Sequence, residues 1–217
     1  MPVFNFDFNR SITRLDLNAE RSGIFTPGLT NLELREDNLR AFNDLAQRLS
    51  PERTTYTADQ IAGAVRRVLR AAAKGQESAF IKVRMRRASE IRAALKDAQW
   101  QIATALKQDM RELQDYLDDT QGLIPDEVPV VGLLDDAILI DTAMPRLRGE
   151  LDEYADFCRF RVGEAARLDI APPTVDIDRA KWQVERKIEL RLEQQLRRVR
   201  GSGYAKAGEG EARFRIC

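Results

Sequence analysis

The 217-residue chain contains no histidine. With no imidazole, it has no His-ligated zinc, no Ser-His-Asp or Cys-His catalysis and no imidazole proton shuttle. Cysteine is almost as scarce: Cys158 and Cys217 are the only two, too few for a metal cluster or a disulfide framework. Long apolar runs are missing too. The longest, Val128 to Leu134 and then Ala137 to Ile140, is broken by Asp135 and Asp136, and each piece is far short of the roughly 20 residues that cross a bilayer. The opening MPVFNFDFNR lacks a basic start followed by an apolar stretch, so no secretory signal is expected. These absences lead us to expect a cytoplasmic protein with free thiols. There is no transmembrane span, although a helix lying on a membrane surface stays open.

What is present is a globular composition, 43% apolar and 32% charged, which argues against wholesale disorder. The expected fold is mainly α: a helical bundle with one long helix, a helical-hairpin elbow and short β-strands at both termini. Three segments are expected. Residues 1–29 form an N-terminal strand and irregular arm, 30–170 a helical domain, and 171–217 a linker, a C-terminal helix, a glycine-rich loop and a terminal strand.

The strand signals are period-two alternations. Phe4, Phe6 and Phe8 alternate with Asn5 and Asp7; Ala212, Phe214 and Ile216 alternate with Arg213 and Arg215. Thr30 with Glu33 reads as a capping box opening a first helix, which ends at Ser50-Pro51, and Thr57 with Gln60 reads as a second. Ser78 to Leu117 contains no Pro or Gly and keeps an apolar stripe through Ala88, Ile91, Leu95, Ala98, Ile102 and Ala105. As one helix it would be about 60 Å long, either packed within a bundle or forming a hairpin or oligomer seam. Leu133 to Met144 reads as a short helix, and Pro145 as the first residue of the next. Asp178 is placed to cap a last helix striped by Val184, Ile188, Leu192, Leu196 and Val199. The glycine-rich stretch from Gly201 follows a helix and lacks the order of a phosphate loop, so it reads as a connector.

One stretch is distinctive. Leu123-Ile124-Pro125-Asp126 is followed by Val128-Pro129-Val130, Gly132 and the pair Asp135-Asp136. The two prolines forbid a continuous helix, and Gly132 allows an approach that a Cβ would block. Asp135 and Asp136 stand where a following helix presents free N–H groups. The elbow residues are therefore Ile124, Pro125, Asp126, Pro129, Gly132, Asp135 and Asp136. This run resembles the YkvA-like family of small bacterial domains over residues 116–154. The family often has Ser-Pro-x-Asp ahead of the motif, where this chain has Asp119-Thr120-Gln121-Gly122. The resemblance implies a helical hairpin and, since the family has no established reaction, says nothing of activity; membrane association of some members leaves peripheral contact open. Asp126, Asp135 and Asp136 are also weak candidates for a Mg²⁺ or Ca²⁺ site or for acid–base work, though their spacing is not that of an EF-hand loop.

The formal charge of zero conceals blocks. Residues 66–96 carry ten basic side chains against two acidic, residues 109–156 fourteen acidic against three basic, and residues 179–200 eight basic against three acidic. Such blocks either pair within the fold or await a charged partner. Arg66, Arg67, Arg70, Arg84, Arg86, Arg87 and Arg92 are the candidate nucleic-acid or anion contacts. No nucleophile–base constellation accompanies them, no cofactor is implied, and no helix-turn-helix or RNA-binding signature is present. The leading expectation is a non-enzymatic interaction protein, an adaptor, regulatory or assembly subunit that binds a protein partner or itself. Nucleic-acid binding through the 66–96 block is the alternative, followed by a metal-dependent enzyme or membrane-surface protein using the Asp-rich elbow.

Overall fold

A computed structural model describes residues 12–16, 31–52 and 55–201. It is mainly helical. A two-stranded antiparallel ribbon, β1 (Ile12–Asp16) and β2 (Asn31–Arg35), pairs Ile12 with Arg35 and Leu15 with Leu32. Six helices follow: α1 (Glu36–Leu49), α2 (Ala58–Ala73), α3 (Ala79–Lys96), α4 (Thr104–Leu117), α5 (Leu134–Leu168) and α6 (Arg179–Gly201). A single 3-10 turn, Pro172–Thr174, precedes α6. The expected strands at residues 3–8 and 212–216 lie outside the described residues, as does Cys217. Cys158 is a half-buried free thiol.

The helices begin where their caps dictate. Both halves of the Thr57 capping box form: Thr57 Oγ1 accepts from the Gln60 amide at 3.2 Å, and Gln60 Oε1 accepts from the Thr57 amide at 2.9 Å. Ser78 caps α3 by accepting from the Ile81 amide. Glu33, by contrast, lies in a strand and opens no helix, and Thr30 lies outside the described residues. Residues 31–35 are extended, because Leu32 and Leu34 are both buried while Glu33 and Arg35 are exposed. That is a period-two pattern, and burial of both leucines decides for the strand. The first helix starts at Glu36, with Glu36 and Asp37 supplying negative charge to its first turn.

The long helix exists, but not where the periodicity placed it. Residues 78–117 are two helices interrupted at residues 97–103. The interruption turns Trp100 inward, to 2% exposure, against the rings of Phe157 at 5.2 Å and Trp182 at 5.5 Å. Burying that indole outweighs continuing the helix, since helix propensity is a small contribution beside tertiary burial. Instead α5 runs for 35 residues, straight through Pro145. Pro145 sits on an exposed face, where the lost backbone hydrogen bond costs least, and the flanking Ala143 and Leu147 are completely buried. Packing of that apolar face holds together what proline alone would break.

The described residues fall into two compact units. The first takes the chain up to Ala98 together with Ile102–Tyr154. Its core includes Phe42, Leu49, Ile61, Val65, Ile91, Met110, Leu113, Leu139 and Leu147, all at most 2% exposed. Phe42 packs edge-on against Tyr56 and Tyr116. The second takes Gln99–Gln101 and the chain from Ala155 onward. Its core is the Trp100, Phe157 and Trp182 cluster with Ala165, Val175 and Ile177. No helix among the described residues is long and apolar enough to cross a membrane.

Candidate functional site

The elbow lies in the first unit, between the end of α4 and the start of α5. Its organising group is the Asp135 carboxylate, 1% exposed. Oδ2 accepts three hydrogen bonds: from Tyr116 Oη at 2.8 Å, from the Leu123 amide at 2.9 Å and from the Ile124 amide at 3.1 Å. The Leu123 N–H is shared, since it also reaches Tyr116 Oη at 2.9 Å. Asp135 thus binds the loop that precedes its own helix and closes the elbow as a latch. Asn38 on α1 reinforces it by donating to the Gly122 carbonyl at 2.8 Å.

Two glycines make this convergence possible. A Cβ at Gly122 would stand 2.9 Å from Asp135 Oδ2 and 3.1 Å from Tyr116 Oη, inside the polar knot itself. A Cβ at Gly132 would run into the backbone carbonyl of Asp126, whose carbon lies 2.7 Å away. Ile124 is completely buried, and Val128 and Val131 are buried on either side of Pro129. Val130 takes the opposite role. Its φ is +76° and it is 46% exposed. A β-branched residue in the left-handed region is strained by roughly 1–2 kcal/mol. Val130→Gly removes that strain at a smaller entropic cost, so its thermal midpoint should lie about 1–3 °C above the parent. A calorimetric scan showing a lower midpoint would mean that the Val130 side chain contributes contacts worth more than the strain.

Electrostatics at the elbow follow from burial. Burial raises Asp135 above the ordinary carboxylate range, opposed by its hydrogen bonds from Ile124, Tyr116 and Leu123. Asp136 is pushed up to about 8, first by burial and then by the neighbouring charges of Asp135 and Asp126. Asp126 is raised by burial and by Glu127 and Asp119. Burial, with Asp135 beside it, also lifts Tyr116 well above its usual value. Asp135, the Tyr116 hydroxyl and the Leu123 and Ile124 amides form a hydrogen-bonded structural knot, with Asp136 buried next to it in sequence. The hydrogen-bond partners of Asp135 described above are a phenol and two backbone amides. Among the described residues, no group of three or more His, Cys, Asp or Glu side chains is placed to hold a metal ion.

The candidate arginines are dispersed over α2 and α3, and part of that block is neutralised within the first unit. Arg84 Nη2 pairs with Asp141 Oδ1 at 2.6 Å, and Arg92 Nη2 with Asp118 Oδ1 at 2.7 Å. Arg87 pairs with Glu90 one turn along its own helix. Arg66 and Arg70 also interact. Arg67 and Arg86 are exposed and form no ion pair among the described residues. Two further pairs neutralise acidic side chains of the 109–156 block: Arg146, within it, with Asp109 at 2.7 Å, and Arg48, from α1, with Glu112 at 2.8 Å. An open groove of about 660 Å³ lies beside these helices, floored by Ile61, Val68, Phe80, Leu134 and Ile138, with Arg67 and Asp141 among its lining.

The second unit carries a row of exposed aliphatic side chains. On α6, Val184, Ile188, Leu192 and Leu196 are 56%, 46%, 54% and 57% exposed. Their spacing reads as a core stripe, and what the sequence lacked was any sign that the stripe would stay open. Tyr116 was also missed as an elbow residue; a tyrosine in the last turn of a helix beside a buried carboxylate motif was its only signal, because a buried phenol needs a partner. Comparison with family models, with curated proteins and with solved structures finds no match for this chain.

Proposed function

We propose that the protein is a non-enzymatic helical interaction protein, an adaptor, regulatory or assembly subunit of a bacterial multi-component system. The observation that carries this reading is the open stripe of α6. Four large aliphatic side chains in register along one helix face, each about half exposed, are costly in water and are the usual mark of a binding face. The elbow supports the same reading from the other side. Asp135, which by sequence was also a candidate for catalysis or for a metal, is engaged in internal hydrogen bonds. The resemblance of residues 116–154 to the YkvA-like family is consistent with this use and supplies no reaction. The ion pairs of Arg84 and Arg92 with the acidic block favour internal pairing over a continuous phosphate-binding surface.

The test compares the tagged full chain with the double variant Ile188→Glu/Leu192→Glu, each purified from the native host. Surface substitutions of this kind change stability by no more than about 0.5 kcal/mol, so both proteins should melt together. The parent is expected to elute with a stoichiometric second chain, of its own kind or another, and the variant alone. If both elute alone and monomeric, the interaction reading fails.

A further inference from the structure

The open stripe has two unlike edges. Helix α6 is anchored at its start: the Asp178 carboxylate accepts from the Lys181 amide at 2.9 Å, Trp182 is buried, and Arg186 pairs with Asp156 at 3.1 Å. Beyond that anchorage the helix is uncovered. From Leu190 to Val199 every side chain is exposed. A helical segment of about ten residues is marginal in water without packing, so this one calls for a surface to lie on. At about 100° per residue, Glu185, Glu189 and Glu193 line one edge of the stripe, while Lys187, Arg191 and Arg198 line the other. Glu189 pairs with Arg186 and Glu193 with Arg197 along the same helix, both pairs largely open to solvent, and such pairs hold weakly.

That pattern is complementary to itself in one direction. When two identical helices pack in parallel about a two-fold axis, the left edge of each meets the right edge of the other; packed antiparallel, like edges meet. Parallel pairing of α6 therefore sets acid against base along both sides of the seam, and antiparallel pairing sets like charge against like. We infer that α6 is the seam of a parallel homodimer, in which a second copy of this chain covers Val184, Ile188, Leu192 and Leu196 with its own. This rests on the reading of the protein as an interaction protein and names its partner. The seam spans only about three to four turns, so association should be weak, with half-dissociation on the order of micromolar.

Light scattering on the full chain across a concentration series reads the first consequence. The parent should approach twice the 24.7 kDa chain mass, and Ile188→Glu/Leu192→Glu should remain a monomer. Glu189→Lys/Glu193→Lys makes both edges basic, and Lys187→Glu/Arg191→Glu makes both acidic. Each should dissociate about tenfold more readily than the parent, and an equimolar mixture should recover a dimer. Direction is read by cysteine cross-linking in a Cys158→Ser/Cys217→Ser background oxidised with glutathione disulfide. Gln195→Cys lies within the stripe and should cross-link to itself in a parallel pair. Cross-linking only between Gln195→Cys and Glu185→Cys would show an antiparallel pair and overturn the inference. A parent that is monomeric at every concentration would also overturn it, and a stripe variant that melts far lower than such a monomer would show that the chain covers its own stripe. The broader interaction reading would survive either result if the stripe still selected a different protein in stoichiometric amount.

Discussion

Replacing Asp135 with alanine is expected to destabilise the fold by about 3–5 kcal/mol, because it leaves buried donors without an acceptor. Oδ2 serves the Leu123 and Ile124 amides and the Tyr116 hydroxyl at once. Leu123 and Ile124 are 1% and 0% exposed, so water cannot take the carboxylate's place. Tyr116 Oη still accepts from the Leu123 amide, which moderates the loss at that one group; the Ile124 amide keeps nothing. Asp135→Asn separates acceptor from charge. Its amide oxygen can serve the same donors, while its NH₂ would take the position of Oδ1, which has no hydrogen-bond partner. We expect that variant to lose about 1–2 kcal/mol. Urea titrations followed by circular dichroism would measure both. Losses below about 1 kcal/mol for Asp135→Ala would mean that the elbow is held by Ile124, Val128 and Val131 packing and not by the latch.

The helices were legible wherever a local signal and a tertiary demand agreed. Thr57 and Gln60 make a capping box in sequence and in space. The elbow was legible for the same reason: two prolines, a glycine and two aspartates each restrict the backbone independently, and Gly132 does admit the close approach of the Asp126 carbonyl. Reading failed where a distant contact outranked a local pattern. The stripe of Ala88, Ile91, Leu95, Ala98, Ile102 and Ala105 passes Trp100 by, and only the packing of Trp100 on Phe157 and Trp182 reveals why the helix stops there. Pro145 reads as a boundary, and only the burial of Ala143 and Leu147 around it shows why it is not. Leu32 and Leu34 were hidden behind a capping-box spelling whose strand alternation was equally present.

The candidate site divides along the same line. Elbow chemistry depends on residues close in sequence, so Asp135 and Asp136 could be singled out from the motif alone. Which atoms they meet could not be read there, because the Tyr116 partner comes from the preceding helix and the Asn38 support from α1. The charge blocks were countable, but their pairing depends on which helix faces show toward each other: Arg84 finds Asp141 across 57 positions of chain. The open face of α6 is the converse case. A stripe at helical spacing reads the same whether it is covered or not, and only the exposure of Val184, Ile188, Leu192 and Leu196 distinguishes an open helix face from a core one.

Stability should fall as pH rises from 5 to 8.5, and Asp136→Asn should remove most of that fall. Asp136 is 5% exposed, and burial, Asp135 and Asp126 push its folded pKa up to about 8 from the ordinary 3.8. An acid whose folded pKa is raised keeps its proton in the folded chain while the unfolded chain has already lost it. The folded state then binds more protons, so stability declines with pH across the window between the two values and levels off above about 8. For a shift of this size the decline is on the order of a few kcal/mol. Asp135 and Asp126 are raised as well, and the slope they add has the same sign. Glu112 and Glu164 are lowered, mainly by hydrogen bonds from Gln108 and Arg167; they act with the opposite sign, below the window measured. Asparagine has the shape of the protonated acid and cannot ionise. Asp136→Asn should therefore match the parent near pH 5 and exceed it at pH 8.5. Thermal midpoints at half-unit steps of pH would decide the matter. A parent equally stable at both ends, or a variant weakened equally at every pH, would mean that Asp136 is ionised and partnered in the folded chain.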